Sequence, residues 1–311
     1  MGKRFIGVSG LLLAGVLVAC NTMDASSIED VKDSSPSAEL PVTILIEANL
    51  SWNDGVPSID QMRQVETGGG YINQPSFLPG SKEYLYSAGL SKTNIFQREF
   101  GAGAARALTA SQDRSEFSPR QMPDGSGFSF IQESPNGRLT TLNGKSDEVA
   151  AAAPLISLAP LGYYAFFNGG EDVAVFLRSE PASLYQVNVE SGAFARIADG
   201  IGRALYPAPG GEDIYFTTAD ADQPVLINRF DASSASILPI TALPEGAQDY
   251  AVFATPEGNA FLSASGSELM FWAAGANQWV QVSGEVVDKT LEVSRMAISD
   301  DLSSLIIITT P

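Results

Sequence analysis

From residue 42 onward, apolar and polar positions alternate with a period of two, in short runs broken by Gly, Pro, Asp and Asn. "KEYLYSA" (82–88) sets Tyr84 and Tyr86 two apart, "SGFSFIQES" (126–134) does the same with Phe128 and Phe130, and "EDVAVFLRS" (171–179) with Val173 and Val175. This pattern predicts β-strands. No stretch of residues 41–311 sustains a 3.6-residue apolar rhythm, so helices should be scarce.

The turns recur. Pro79-Gly80-Ser81, Pro123-Asp124-Gly125, Asn168-Gly169-Gly170, Pro209-Gly210-Gly211, Pro256-Glu257-Gly258 and Ser299-Asp300-Asp301 begin 44, 45, 41, 47 and 43 residues apart. A period of this size marks stacked or radial repeats. Each turn lies between two strand-like runs, such as "EFSPRQ" and "SGFSFIQES", or "YAVFAT" and "NAFLSAS". A third run follows ("TNIFQREF", "GRLTTLN", "SLYQVNV", "VLINRF") and then a fourth ("ARALTA", "FARIAD", "SILPIT"). Four short antiparallel strands per repeat make a propeller blade.

The sixth repeat stops at "LIIITTP" after two strands, while "VTILIEANL" (42–50) and "QMRQVET" (61–67) belong to no repeat. Placing these N-terminal strands on the outside of the last blade closes the ring and removes its open edges. The expected fold is all-β: a six-bladed β-propeller of four-stranded antiparallel blades, spanning residues 41–311 and closed by its N-terminal strands.

"INQPSFLPGSKEYLYSA" and "SEFSPRQMPDGSGFSFIQES" resemble the repeats of the TolB-type (WD40-like) β-propellers, and "RQVET" and "RALTA" resemble that family's closing strand. The resemblance covers about residues 42–311 and is strongest in the first two repeats. It implies a fold and leaves activity open.

Residues 1–20, "MGKRFIGVSGLLLAGVLVAC", join a basic start to an apolar run. That run is shorter than the roughly 20 residues of a spanning helix and fits an export signal over residues 1–19. Leu17-Val18-Ala19-Cys20 resembles the lipobox of bacterial lipoproteins. The resemblance implies cleavage before Cys20, lipidation of its sulfur and acylation of its new amine. It implies an envelope address, and Asn21 at the next position implies the periplasmic face of an outer membrane. Several acyl chains anchor stably where one does not. Residues 20–40 are rich in Ser and acid and read as a flexible tether. Such a chain holds the body roughly 25 Å from its anchor.

Charge narrows the partners. The chain carries 18 Lys plus Arg against 36 Asp plus Glu, a net −18, which becomes −20 once Lys3 and Arg4 leave with the signal. This argues against nucleic acid, whose phosphates need clustered cations. The absence of His excludes Ser-His-Asp and Cys-His catalysis and any His-ligated metal. "GRLTTLNGKS" (137–146) has Leu139 where a phosphate loop needs its first Gly, and reads as a polar hairpin loop. "SWNDGVPS" (51–58) holds the letters of a sialidase turn in the wrong order. Asp220 and Asp222, in a loop, are a weak candidate pair for a hard cation, which wants more oxygens than two acids supply. No cofactor is expected.

These readings converge on a non-enzymatic, lipid-anchored monomer that binds an envelope protein or peptide at a channel mouth. The loops leading into the inner strands supply the expected contacts: Arg114, Glu116, Arg203, Asp249, Glu292 and Arg295. The alternative is a carbohydrate- or lactone-active hydrolase using channel carboxylates, with or without a divalent cation. Three or more converging Asp, Glu or Asn side chains in the channel would favour hydrolysis; a mixed-charge mouth would favour binding.

Overall fold

The computed structural model describes residues 40–65, 69–136, 139–146, 151–218 and 223–311. Within them the chain forms six antiparallel sheets, five of four strands and one of five. The six inner strands are Tyr71–Phe77, Glu116–Gln121, Leu161–Phe167, Ile201–Pro207, Tyr250–Thr255 and Glu292–Ile298. Each leads through a recurring turn into the second strand of its blade, so these turns share one face of the ring, the turn face. The connections into the inner strands share the other, the loop face.

The last blade is assembled from both ends of the chain. Ile44–Asn53 lies between Ser304–Thr310 and Val56–Val65, with Ala48 opposite both Leu305 and Met62. Asp54 and Gly55, both at positive φ (51° and 77°), form the two-residue turn of the outer hairpin. Asp-Gly is the chemistry such a turn demands, so the sialidase-like letters are hairpin residues. Ser283–Gly284 adds a short parallel strand outside Val56–Val65. Gly284 is required there, because a Cβ would stand 2.0 Å from the Ile59 carbonyl oxygen.

The core is six wedges, one between each pair of neighbouring blades. This explains why "LIII" (305–308) does not alternate: Leu305 and Ile307 pack toward blade five, while Ile306 and Ile308 pack toward blade one. The second strands of the other blades are likewise buried on both faces. Phe128 and Phe130 face blade one, and Ser129 on the opposite face lies 2.8 Å from the hydroxyl of Tyr164 in blade three.

Thr140–Ser146 is the third strand of blade two, paired along its length with Gly127–Glu133, as the run "GRLTTLN" predicts. The reading of 137–146 as a hairpin loop is corrected: residues 140–146 are strand. The fourth strand of that blade, Ala153–Pro154, carries no alternation to read.

Candidate functional site

Five of the six inner strands slip register against their partners, at Asn73/Ser76, Phe117/Arg120, Leu161/Tyr163, Ile201/Leu205 and Val293/Arg295. A bulge inserts a residue and re-aims the side chains beside it. In blades one and two the inserted residues precede prolines and are left-handed without being glycine: Gln74 at φ 55° and Ser118 at φ 54°. The side chain of Gln74 accepts a bond from the Ser118 N–H at 2.9 Å, tying the two bulges together.

The re-aimed residues close the channel with three arginines. Arg120 reaches across two blades, donating from Nε to the Tyr164 carbonyl (3.1 Å) and from Nη2 to the Leu205 carbonyl (3.2 Å). Its guanidinium lies between the rings of Tyr164 and Tyr206, 5.9 and 5.5 Å from their centroids. Arg203 crosses from blade four to blade six, where Nη2 donates to the Ser294 carbonyl at 3.1 Å. Its Nε is buried without a partner. Arg295 sits 4.7 Å over the Tyr163 ring, and its Nη1 lies 3.2 Å from Asp249 Oδ1.

Asp249 accepts two further bonds, from the Tyr206 hydroxyl (2.7 Å) and the Met296 N–H (3.3 Å). Burial works against the charge on Arg295, but Asp249, Tyr163 and Tyr206 together outweigh it and hold the guanidinium protonated. Burial also raises the Tyr206 hydroxyl above its ordinary value, with Asp249 adding to the effect. Tyr206 is therefore a donor at neutral pH.

Of the residues expected at the mouth, the structure brings Arg203, Asp249 and Arg295 together, inside the channel. Arg114 and Glu116 meet elsewhere, at Gln132 on the loop face of blade two. Arg114 also pairs with Asp113, and the buried Glu116 accepts from Ser111. Glu292 is exposed at the start of its strand. Cys20, Asp220 and Asp222 lie outside the described residues. Sequence reading missed Arg120, Tyr163's place beneath Arg295, and Tyr206; the "SPR" of "EFSPRQ" was the available signal for the first. Phe167, Phe271 and Trp272 fill the wedges between blades, whereas Phe166 faces open space.

That open space is a funnel of about 780 Å³ on the turn face, at the opposite end from the loops the sequence reading favoured. Its walls include Phe77, Pro123, Phe166, Pro209, Phe253 and Leu302, and Arg120 stands where it narrows into the constriction. Among the described residues no carboxylate lines the constriction; Asp249 is buried behind it and engaged by Arg295. Glycoside hydrolysis needs two carboxylates placed across the scissile bond; the described lining here presents guanidinium and tyrosine groups.

The fold of a TolB-like protein from Agrobacterium tumefaciens superposes with a TM-score of 0.63 at 14% identity, covering 88% of this chain and all (100%) of that one. The fold is that of the TolB-like propellers. TolB from Acinetobacter baumannii gives a TM-score of 0.56 at 10% identity, covering 88% of this chain and 65% of that one. A chain of the nidogen–laminin complex gives 0.59 at 8% identity, covering 86% and 98%. No protein-family model matches the sequence, and no curated protein matches it either. At these identities the likeness is one of architecture, and a propeller architecture serves many functions.

Proposed function

We propose that this TolB-like propeller is a lipid-anchored, non-enzymatic scaffold that binds a protein or peptide in a bacterial envelope. Residues 1–19 serve as the export signal, Cys20 carries the lipid, residues 20–40 form the tether and residues 41–311 the propeller, which acts as a monomer. The observation that carries this reading is the wide turn-face funnel ending on a mixed-charge floor. A concave site held by six rigid sheets costs little ordering entropy when it is filled. The acidic surface, net −18 over the whole chain, keeps the body soluble on its tether.

The test is site-specific photo-crosslinking in the envelope of bacteria expressing the full chain. A photoreactive residue replaces Phe166 in the funnel or Leu90, which is 76% exposed on the loop face. A polypeptide adduct from position 166 and none from position 90 supports the reading. No adduct at 166, or equal adducts at both, overturns it.

A further inference from the structure

The charge balance of the constriction specifies more than a generic partner. Arg295 and Asp249 neutralise each other. Among the described residues neither Arg120 nor Arg203 has a carboxylate within ion-pair distance, so two guanidinium charges stand without a counter-ion inside a strongly acidic chain. Both side chains are half-buried, so each charge is shielded in part from water while remaining open to a ligand of opposite sign. Both printed bonds of Arg120 go to backbone carbonyls and use Nε and Nη2. A guanidinium has five N–H groups in a planar fork, which leaves Nη1 of Arg120 free at the floor of the funnel.

The walls above that floor are of a different character. They are aromatic and prolyl, and the one acid among them, Asp300, accepts a bond from the Gly80 N–H at 2.7 Å. A ligand matching both parts is anionic at its tip and apolar behind it. The glycine turns at the rim, Gly169 and Gly210 among them, also offer bare backbone to a chain that carries amide groups of its own.

We infer that the funnel takes the C-terminal carboxylate of a peptide whose last residues are apolar, with the carboxylate on Arg120 and the apolar side chains against Phe77, Phe166 and Phe253. A carboxylate suits the planar fork of Arg through charge-assisted bonds. This deepens the peptide-binding reading proposed above and rests on it.

The experiment is fluorescence anisotropy with the full mature chain. The probes are dye-labelled apolar hexapeptides, prepared as free acids and as C-terminal amides, with decanoate as a competitor. The acid should bind roughly tenfold or more tightly than the amide, as expected for a charged hydrogen-bonded pair, and the preference should shrink with added salt. Arg120→Gln should bring the acid down to the level of the amide, and Arg120→Lys should restore part of the difference. Asp249→Asn, which adds to the local positive excess, should tighten the acid further. Equal binding of acid and amide to the native chain overturns the inference while leaving a peptide-binding funnel intact. Binding of neither probe, an acid preference that survives Arg120→Gln, or displacement by decanoate at concentrations as low as the peptide acid overturns it as well.

Discussion

The Nε of Arg98 lies 3.1 Å from Oε1 of Glu47, so a guanidinium of blade one is bonded to the N-terminal strand that completes blade six. The same carboxylate accepts from the Tyr84 hydroxyl (2.9 Å), the Gly101 N–H (3.0 Å) and Arg63. Glu47 is 2% exposed and Arg98 6%. All the partners of the carboxylate are donors, and three of them belong to blade one. It is a latch that fastens the N-terminal strand of the last blade to blade one.

Replacing Glu47 by Gln keeps its shape and removes its charge, leaving Arg98 buried without compensation. Breaking a buried pair from one side costs about 3 kcal/mol, so the thermal midpoint should fall by roughly 6–10 °C for a domain of this size. Differential scanning calorimetry checks this; an unchanged midpoint would show that the latch contributes nothing net.

The same residue shapes the acid limb of stability. Burial pushes the Glu47 carboxyl up, but the bonds from Arg63, Gly101, Tyr84 and Arg98 outweigh it and hold it below the ordinary value of 4.5. A depressed carboxyl contributes stability that is fully present above the unfolded value and is lost as pH falls through the folded one. The gap between native and Glu47→Gln midpoints should therefore be constant above pH 4.5 and close on further acidification. A gap that widens with acid would contradict the assignment.

Removal of residues 40–65 strips both outer strands from the last blade and bares the edge of Ser304–Thr310, whose Leu305 to Ile308 run is buried on both faces. Such an edge templates association. Light scattering should show oligomers, and a synthetic peptide spanning 42–65 should return the monomer. Ala48→Asp, which buries an unpaired carboxylate at a fully enclosed position, should act the same way. A monomer with native circular dichroism in either case would refute closure by the strap.

Trp52 holds a second seam. Its ring meets Phe253 and Phe271 of blade five edge-on, at 5.5 and 5.8 Å, and its Nε1 donates to the Leu302 carbonyl at 2.8 Å. Because the ring is only partly buried, Trp52→Ala should cost about 2 kcal/mol, less than a fully enclosed truncation. Urea denaturation with the slope unchanged measures it, and Trp52→Phe should recover part of the loss.

Substituting Cys20 by Ser tests the anchor. The chain should move from the membrane fraction to the soluble fraction, since no acyl chain can then be attached. Unchanged fractionation would mean that something other than Cys20 holds the protein at the membrane.

The amino-acid sequence alone determined the number of blades, the turn that opens each one and the strands that close the ring. These rest on local chemistry: glycine and proline set the turns, and period-two patterning survives wherever a strand is read within itself. Residues 137–146 drew two readings, a strand in "GRLTTLN" and a polar loop, and pairing with neighbours decides for the strand; nothing in the pattern gave warning that second strands would be buried on both faces. The candidate site was decided by the tertiary structure. Register slips in the inner strands turn Arg120, Arg203 and Arg295 toward a common axis, and alternation cannot reveal a slip. The contacts that result join residues far apart in the chain, such as Arg203 and Ser294. Which end of the channel opens wide, and which charges there remain without a partner, follow from six strands converging and are written in no single one of them.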